Sequence, residues 1–561
     1  MTKRLDLALV WHMHQPDYRD PETGEFLFPW VYLHAIKDYA DMAWHLEHRP
    51  QVRATVNLVP VLLDQVEAYA DAFGSGSVPD PLLRLLVHPD LDRIGAAERR
   101  LILDSCFRSN HTRMIEPFPA YRFLLDLFKR TDEKSDAGRA YLSGQYLADL
   151  LTWYHLAWTG ESVRREHALV VDLMTKGAGY THADRRRLFD LIGELLQGIV
   201  PRYRALAAAG RIELTTTPQQ HPLAPLIVDL ASAREMLPDA PMPSEAVYPG
   251  GRTRISTHLA AAMQSHARRF GAAPEGVWPA EGAVSSPVLR LFAEGGCRWA
   301  ASSEAVLVNS LTAAGRKPGK KGEFLYRPYE ASGLTMLFRD DHLSDLIGFE
   351  YAKWHGKDAA THFIAQLEAI ATAAPAGEVP LVSVILDGEN AWEYYPYNGY
   401  YFLQDLYSAL EGHASIATVT PARWLAEHPG AARASLDRIA AGSWVYGNLS
   451  TWVGSPDKNR AWDLLCAAKR SFDLVAASGR LTPEDLAIAE RRLAVCEASD
   501  WFWWFGDYNP EHAVASFDRL YRRNLECLYR SLRLEPPGAL AERIGRGRGD
   551  PEAGGAMRRA T

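Results

Sequence analysis

Two carboxylates stand directly after apolar runs, where the end of a strand would hold them out. Asp387 closes LVSVILD (381–387), and Glu281 lies just beyond Trp278 in PEGVWPAEGAVSS. Carboxylates on two different strand ends can face each other across a shared mouth. Breaking a glycosidic bond with retention of configuration needs such a pair, about 5–5.5 Å apart, one as nucleophile and one as proton donor. Behind Asp387 come Glu389 and the rings Trp392, Tyr394, Tyr395 and Tyr397. A shelf of rings suits the flat apolar faces of sugars, whose hydroxyls meet Asp, Glu, His and Asn. Taken singly, either carboxylate also reads as a helix cap or an arginine partner; their shared setting favours catalysis.

His12 and His14 end the first apolar run at alternate positions, so their side chains project to one side of a strand. Three roles fit that pair: hydrogen bonding in a polar crevice, metal ligation through an H-x-H spacing, or sugar binding. No complete ligand set is evident in the sequence. Sugar binding is the favoured expectation, with no metal or other cofactor.

The elements that must position these groups are seven short apolar or alternating runs separated by long helical stretches: 5–11, 53–59, 211–217, 275–279, 297–302, 335–341 and 381–387. Strand–helix alternation implies parallel pairing through crossover helices, and near-continuous apolar runs suit strands buried on both faces. Polar residues recur just after the runs, at the C-terminal rim where such folds build sites. No run reads as a polar edge, so a closed barrel of about seven strands is expected. We expect a barrel over residues 1–425 with a helical insertion at about 60–210 and an extra strand at SIATVT (415–420). A helical bundle should follow over 426–535, then a disordered tail over 536–561. The stretch 313–324 reads as an exposed mobile loop.

The 561-residue chain carries a formal charge of −8, which argues against nucleic acid or an acidic membrane as partner. Its 16 tryptophans exceed what a core alone needs. Five scattered cysteines with no C-x-x-C pair imply reduced thiols. The apolar run at the N-terminus is interrupted by Asp6 and is too short for a signal peptide, and no stretch approaches the roughly 20 apolar residues of a membrane span. A cytoplasmic protein is expected; its oligomeric state is not legible.

Five ordered segments together resemble glycoside hydrolase family 57: WHMHQPDY (11–18), GRIELTTTPQQHPLAPL (210–226), GVWPAEG (276–282), LDGENAWEYYP (386–396) and ASDWFWWFGDYN (498–509). FRDDHLSDLIGFEYAKW (338–354) and GSWVYGNLSTWVGSPDKNRAW (442–462) look like its amylase and amylopullulanase branch. The resemblance implies an α/β fold, a (β/α)7 barrel with helical insertions followed by a C-terminal helical bundle. It implies retaining action on an α-glucan or malto-oligosaccharide without a metal in the chemical step. By motif, Glu281 would be the nucleophile and Asp387 the general acid/base. His12, His14, Glu213, His221, Asp345, Glu389 and Asp500 would shape the sugar subsites, with Trp278, Trp392, Trp501 and Trp504 as ring contacts. Among the consecutive rings 501–504 a split between packing and sugar contact is expected. Water as acceptor would make the enzyme a hydrolase; a sugar hydroxyl would make it a 4-α-glucanotransferase or branching-type transglycosylase. Two rivals remain open: a metal-dependent carbohydrate hydrolase or deacetylase using His12, His14 and an Asp, and a carbohydrate-binding protein without catalysis.

Overall fold

The structure, a computed structural model, describes residues 4–131, 136–431 and 433–549. All seven runs are parallel strands: β1 (Leu5–Met13), β2 (Ala54–Leu58), β3 (Ile212–Thr215), β4 (Gly276–Val277), β5 (Trp299–Ser303), β6 (Leu334–Arg339) and β7 (Leu381–Asp387). β1 lies between β2 and β7, β2 pairs β3, β4 pairs β5, β5 pairs β6 and β6 meets β7. A parallel bridge from Thr216 to Val277 joins β3 to β4 and closes the barrel.

Side chains alternate along each strand between the lumen and the surrounding helices. On β1, Ala8 and Val10 belong to an inner cluster with Trp278, Trp299, Ala301, Leu337 and Ile385. Leu5, Leu7, Leu9, Trp11 and Met13 belong to the outer core under the helices. That alternation turns His12 and Asp387 inward side by side, since they are register partners.

The lumen has a floor. The expected extra strand, β8 (Ile416–Val419), pairs in parallel with the first half of β1 and delivers helix α1 (Pro421–Glu427) beneath the barrel. Trp424 and Leu425 enter the inner cluster, and the Trp424 indole N–H donates to Asp6 at 2.9 Å. Glu213 is committed to this floor and is not a cleft residue: its carboxylate accepts from Trp299 Nε1 at 2.8 Å and from the Ala422 backbone N–H, in the first turn of α1, at 2.9 Å.

The segment between β2 and β3 is helical, from Pro60–Ser75 to His182–Ala208. After the barrel come helices α2 (Pro456–Ala477), α3 (Pro483–Cys496), α4 (Ser499–Trp504) and α5 (Glu511–Ser531). Their shared core includes Phe502 stacked on Trp462 at 4.1 Å and Trp501 against Tyr521 at 5.7 Å. Disorder does not begin at Pro536: Leu540 and Ile544 are buried, Arg522 donates to the Leu540 carbonyl at 2.8 Å, and the Ile544 N–H donates to Asp518 at 2.6 Å. The rest of the expected tail, 550–561, lies outside the described residues. The expected mobile loop at 313–324 is anchored at its end, where Lys321 pairs with Glu304 at 2.6 Å and Phe324 is buried. Among the described residues no helix is long and apolar enough to cross a membrane.

A buried ion cluster docks the helical region on the barrel. Glu497, just after α3, accepts from Arg254 at 2.8 Å, His258 at 2.7 Å and the Tyr248 hydroxyl at 2.5 Å. Despite complete burial, the Arg254 charge and these donors hold its carboxyl down to about 2. Removing one partner of a buried pair leaves the other charge uncompensated, at a cost of about 3–5 kcal/mol. Glu497→Ala should therefore lower the midpoint of denaturant unfolding by a shift of that size. Because the folded-state pKa is depressed, this stabilisation is present above the ordinary carboxyl range near pH 4.5 and is lost as pH falls toward 2. A pH series of unfolding curves for the parent and variant should converge in acid.

Candidate active site

The C-terminal strand ends open into a cleft of about 850 Å³, lined by both barrel and helical-region residues. Asp387 reaches it as the last residue of β7, with one oxygen accepting from Asn390 Nδ2 at 2.9 Å. Glu281 arrives differently. After β4 the chain makes one tight turn, Ala280–Gly282, in which Glu281 has φ 59° and Gly282 φ 58°. A Cβ on Gly282 would stand 2.9 Å from the Trp278 ring, so only glycine lets this turn sit on that indole. A non-glycine residue held there costs of order 1–3 kcal/mol, and surrounding contacts must over-determine it. Trp444 supplies them: its backbone N–H donates to the Glu281 carbonyl at 3.0 Å, and its indole N–H donates to Glu281 Oε2 at 2.9 Å. The Trp444 ring rests on Trp278 at 5.2 Å, and the Arg339 guanidinium lies 5.4 Å from that ring.

Burial dominates the electrostatics. It raises Glu281 to about 8, helped by the negative charge of Asp387 and opposed by the Trp444 donor. Asp387 is raised to about 6 by burial, with Asn390, His14 and Arg339 opposing. Glu389 is pushed well above the carboxylate range, first by burial and then by Asp387. One of its oxygens accepts from the His14 N–H at 3.0 Å; the other has no hydrogen-bond partner among the described residues. Arg339 forks between Asp341 at 2.7 Å and Asp345 at 2.9 Å.

Three histidines line one wall, and their partners assign two tautomers. The Asn57 amide oxygen accepts from the Thr217 hydroxyl at 3.0 Å and lies 2.7 Å from His12 Nδ1, which must therefore donate. His12 Nε2 then accepts from His221 Nε2–H at 3.1 Å, and His221 Nδ1 accepts from the Ser499 hydroxyl at 2.9 Å. Burial keeps both rings neutral, His12 being lowered to about 3 and His221 well below its ordinary value. His14 stacks on His221 at 3.8 Å, and its Nε2 lies 3.0 Å from both oxygens of Asp500. The His12–His14 pair is thus not a ligand pair, because both nitrogens of His12 are engaged. His14, His221 and Asp500 also bring three ligand atoms within 4.8 Å of one another, a group that includes neither Glu281 nor Asp387, but both nitrogens of His221 are likewise engaged, by His12 and Ser499.

Of the residues singled out from sequence, Glu281, Asp387, His12, His14, His221, Asp345, Glu389, Asp500 and Trp504 line the cleft. Trp278, Trp392 and Trp501 do not: all three are fully buried. Trp278 is the bed for the Glu281 turn, Trp392 donates to the Gly388 carbonyl at 2.8 Å, and Trp501 donates to the Val495 carbonyl at 2.8 Å. The expected split of the ring run falls between Phe502, which packs, and Trp503, which lines the cleft with Trp504. The cleft is also lined by Trp444, Arg339, Trp30 and Trp158, which the sequence reading does not single out. Trp444 and Arg339 lay within segments already notable for their likeness to the family, which was the one available signal.

A closed parallel barrel whose mouth buries two converging carboxyls defines a class, the barrel enzymes that act on glycosidic bonds. The chain belongs to glycosyl hydrolase family 57, whose model matches residues 8–436. No curated protein matches the sequence. Among solved structures, similar folds include a family 57 branching enzyme of Thermococcus kodakaraensis crystallised with glucose, at 16% identity and TM-score 0.57 over 95% of this chain and 90% of that one. A branching enzyme of Pyrococcus horikoshii gives 15% and 0.56 over 96% and 98%, and the α-amylase AmyC of Thermotoga maritima 13% and 0.56 over 94% and 96%. At these identities the likeness shows the fold.

Trp444→Phe keeps the ring on Trp278 and removes one donor to a carboxylate, a bond worth about 1.5–3 kcal/mol. It should lower kcat/KM by about 10- to 100-fold. Because that donor lowers the Glu281 pKa, the alkaline limb of the pH–rate profile should move upward.

Proposed function

We propose that this chain is a retaining α-glycosidase that cleaves α-glucans through a covalent glycosyl-enzyme. Convergence of Glu281 and Asp387 on one cleft, both with raised pKa, is the observation that carries the reading. Membership of family 57 supports glycosidic chemistry, and the branching enzymes and α-amylase that share the fold support α-glucan as the substrate class. Five buried, unpaired cysteines fit action in a reducing compartment, the cytoplasm.

In the proposed cycle Asp387 donates its proton to the leaving glycosidic oxygen while Glu281 attacks the anomeric carbon. Asp387, now ionised, takes a proton from the acceptor as that acceptor displaces Glu281. Burial raises both carboxyls, so near neutrality the pair holds a single proton. Bound sugar decides its place: a glycosidic oxygen accepts only from protonated Asp387, and positive charge growing at the anomeric carbon favours ionised Glu281. The neutral acid of Glu389 brings a further donor for a sugar hydroxyl. Transfer to a second sugar in place of water is favoured by one feature, the rings Trp30, Trp158, Tyr394 and Trp504 around the same cleft, which can seat an acceptor and displace water.

The test is a product profile on α-1,4-linked gluco-oligosaccharides of defined length. Shorter products alone mark hydrolysis; shorter and longer products together mark transfer. Glu281→Gln and Asp387→Asn should each lose about 10³-fold or more in kcat while still folding. Near-normal turnover by Glu281→Gln would falsify the assignment. Activity requires the singly protonated pair, so kcat/KM should fall as pH drops below about 6 and again as it rises above about 8. A profile flat from pH 5 to 9 would rule that requirement out.

A further inference from the structure

The rings that follow Asp387 divide three ways. Trp392 and Tyr395 are buried, Tyr394 lines the cleft, and Tyr397 stands outside it at 53% exposure. Tyr401, the second residue of the helix Tyr400–Glu411, is 44% exposed, and its ring meets that of Tyr397 at 5.4 Å and 88°. The turn that presents them is strained. Tyr397, Asn398 and Gly399 all have positive φ, at 54°, 54° and 72°. Gly399 is obligatory there, since a Cβ would stand 2.6 Å from the buried Trp392 ring. A tyrosine gains nothing from the left-handed region, so strain that holds an apolar ring in water asks for a function.

A cation completes the surface. The Arg165 guanidinium lies 4.9 Å from the Tyr400 ring, 5.0 Å from that of Tyr401 and 6.0 Å from that of Tyr397. Arg165 also donates to the Tyr401 hydroxyl at 2.8 Å and pairs with Glu161 at 2.8 Å, which fixes the guanidinium in place. Tyr394, three residues before Tyr397 in the chain, lines the cleft, and its carbonyl accepts from Arg113 Nε at 3.0 Å. Two ring faces at right angles, edged by N–H and O–H donors, match a curved chain of sugars with apolar faces and hydroxyl rims better than a flat apolar partner.

We propose that Tyr397 and Tyr401, with Arg165 beside them, form a surface platform that holds an α-glucan strand where it leaves the cleft. The inference rests on the α-glucan reading above and deepens it: the platform distinguishes polymer from short oligosaccharide. Its test uses mobility in native gels containing soluble starch, in the Glu281→Gln background so that the matrix is not consumed. Tyr397→Asn keeps a residue that tolerates positive φ, and with Tyr401→Ala it should weaken starch binding by about fivefold or more. With Glu281 intact, the same pair should leave kcat/KM on maltotetraose within about twofold, because neither residue lines the cleft. Tyr401→Trp, which restores a ring, should keep the retardation.

Unchanged retardation in the double variant, with normal maltotetraose turnover, overturns the platform and leaves the proposed function standing. A parent that turns over maltotetraose but is not retarded by starch does the same. No turnover of any α-gluco-oligosaccharide, together with no retardation, removes the substrate reading and the platform with it. A change of oligomeric state in the double variant, seen by size-exclusion chromatography, would make the face a contact between copies of the chain and so overturn the proposal.

Discussion

A barrel mouth that strips water from two converging carboxyls opposes ionising both of them near neutral pH, and the polar groups around the cleft are arranged about that constraint. Glu281 and Asp387 are both raised, and among the described residues each receives one side-chain donor and neither forms a direct ion pair with arginine. Arg339 is close enough to lower Asp387 but is spent on Asp341 and Asp345. A full salt bridge to either carboxyl would hold it ionised at neutral pH. Trp444 and Asn390 orient the carboxyls with neutral donors and leave the proton free to move. The histidine wall keeps to the same rule: His12 and His221 bring directional hydrogen bonds and no charge.

The helical region is part of the mouth as well as a neighbour to it. Asp500 and Ser499 come from α4, and they reach His14 and His221 on the barrel side. The Ser499 N–H also donates to the His221 carbonyl at 3.0 Å, so backbone and side chain together place that ring. Residues 497–500 therefore perform two tasks within one short stretch. Glu497 anchors the junction through Arg254 and His258, and the next residues deliver polar groups to the cleft. Rigidity at the anchor passes directly to the site, because only Ala498 separates Glu497 from Ser499.

Seven strands were legible because parallel strands buried on both faces leave apolar runs that helices interrupt, and the inward positions of His12 and Asp387 followed from alternation alone. Alternation does not tell the top of a barrel from its floor. Glu213 points into the lumen as expected, but the group that claims it is Ala422, 209 residues later. Ring counts carry the same ambiguity. Trp278 and Trp392 look identical in sequence to cleft rings, and their burial is decided by Gly282 and Gly399 lying against their faces. Trp444 could not be read at all by spacing, since its contact with Glu281 spans 163 residues. The stretch 536–549 reads as tail because its composition is rich in Gly, Arg and Pro. Two apolar residues, Leu540 and Ile544, were enough to fold it back.

Backbone strain draws these observations together. Among the described residues seven non-glycine positions have positive φ, and His221, Glu281, Tyr397 and Asn398 are four of them. Two hold cleft side chains and two hold the ring outside the cleft. Each is locked by a packing or hydrogen-bond contact, remote in sequence for His221 (Ser499) and Glu281 (Trp444) and local for the Tyr397 turn, where Trp392 lies beneath Gly399. Strain of this kind persists only where packing over-determines the backbone. The segment between α1 and α2, which carries Trp444, supplies that packing for Glu281, and the docked helical region supplies it for His221. Loosening the junction at Glu497 would therefore relax the histidine wall before it exposed much of the core, so that loss of catalytic geometry should precede loss of fold.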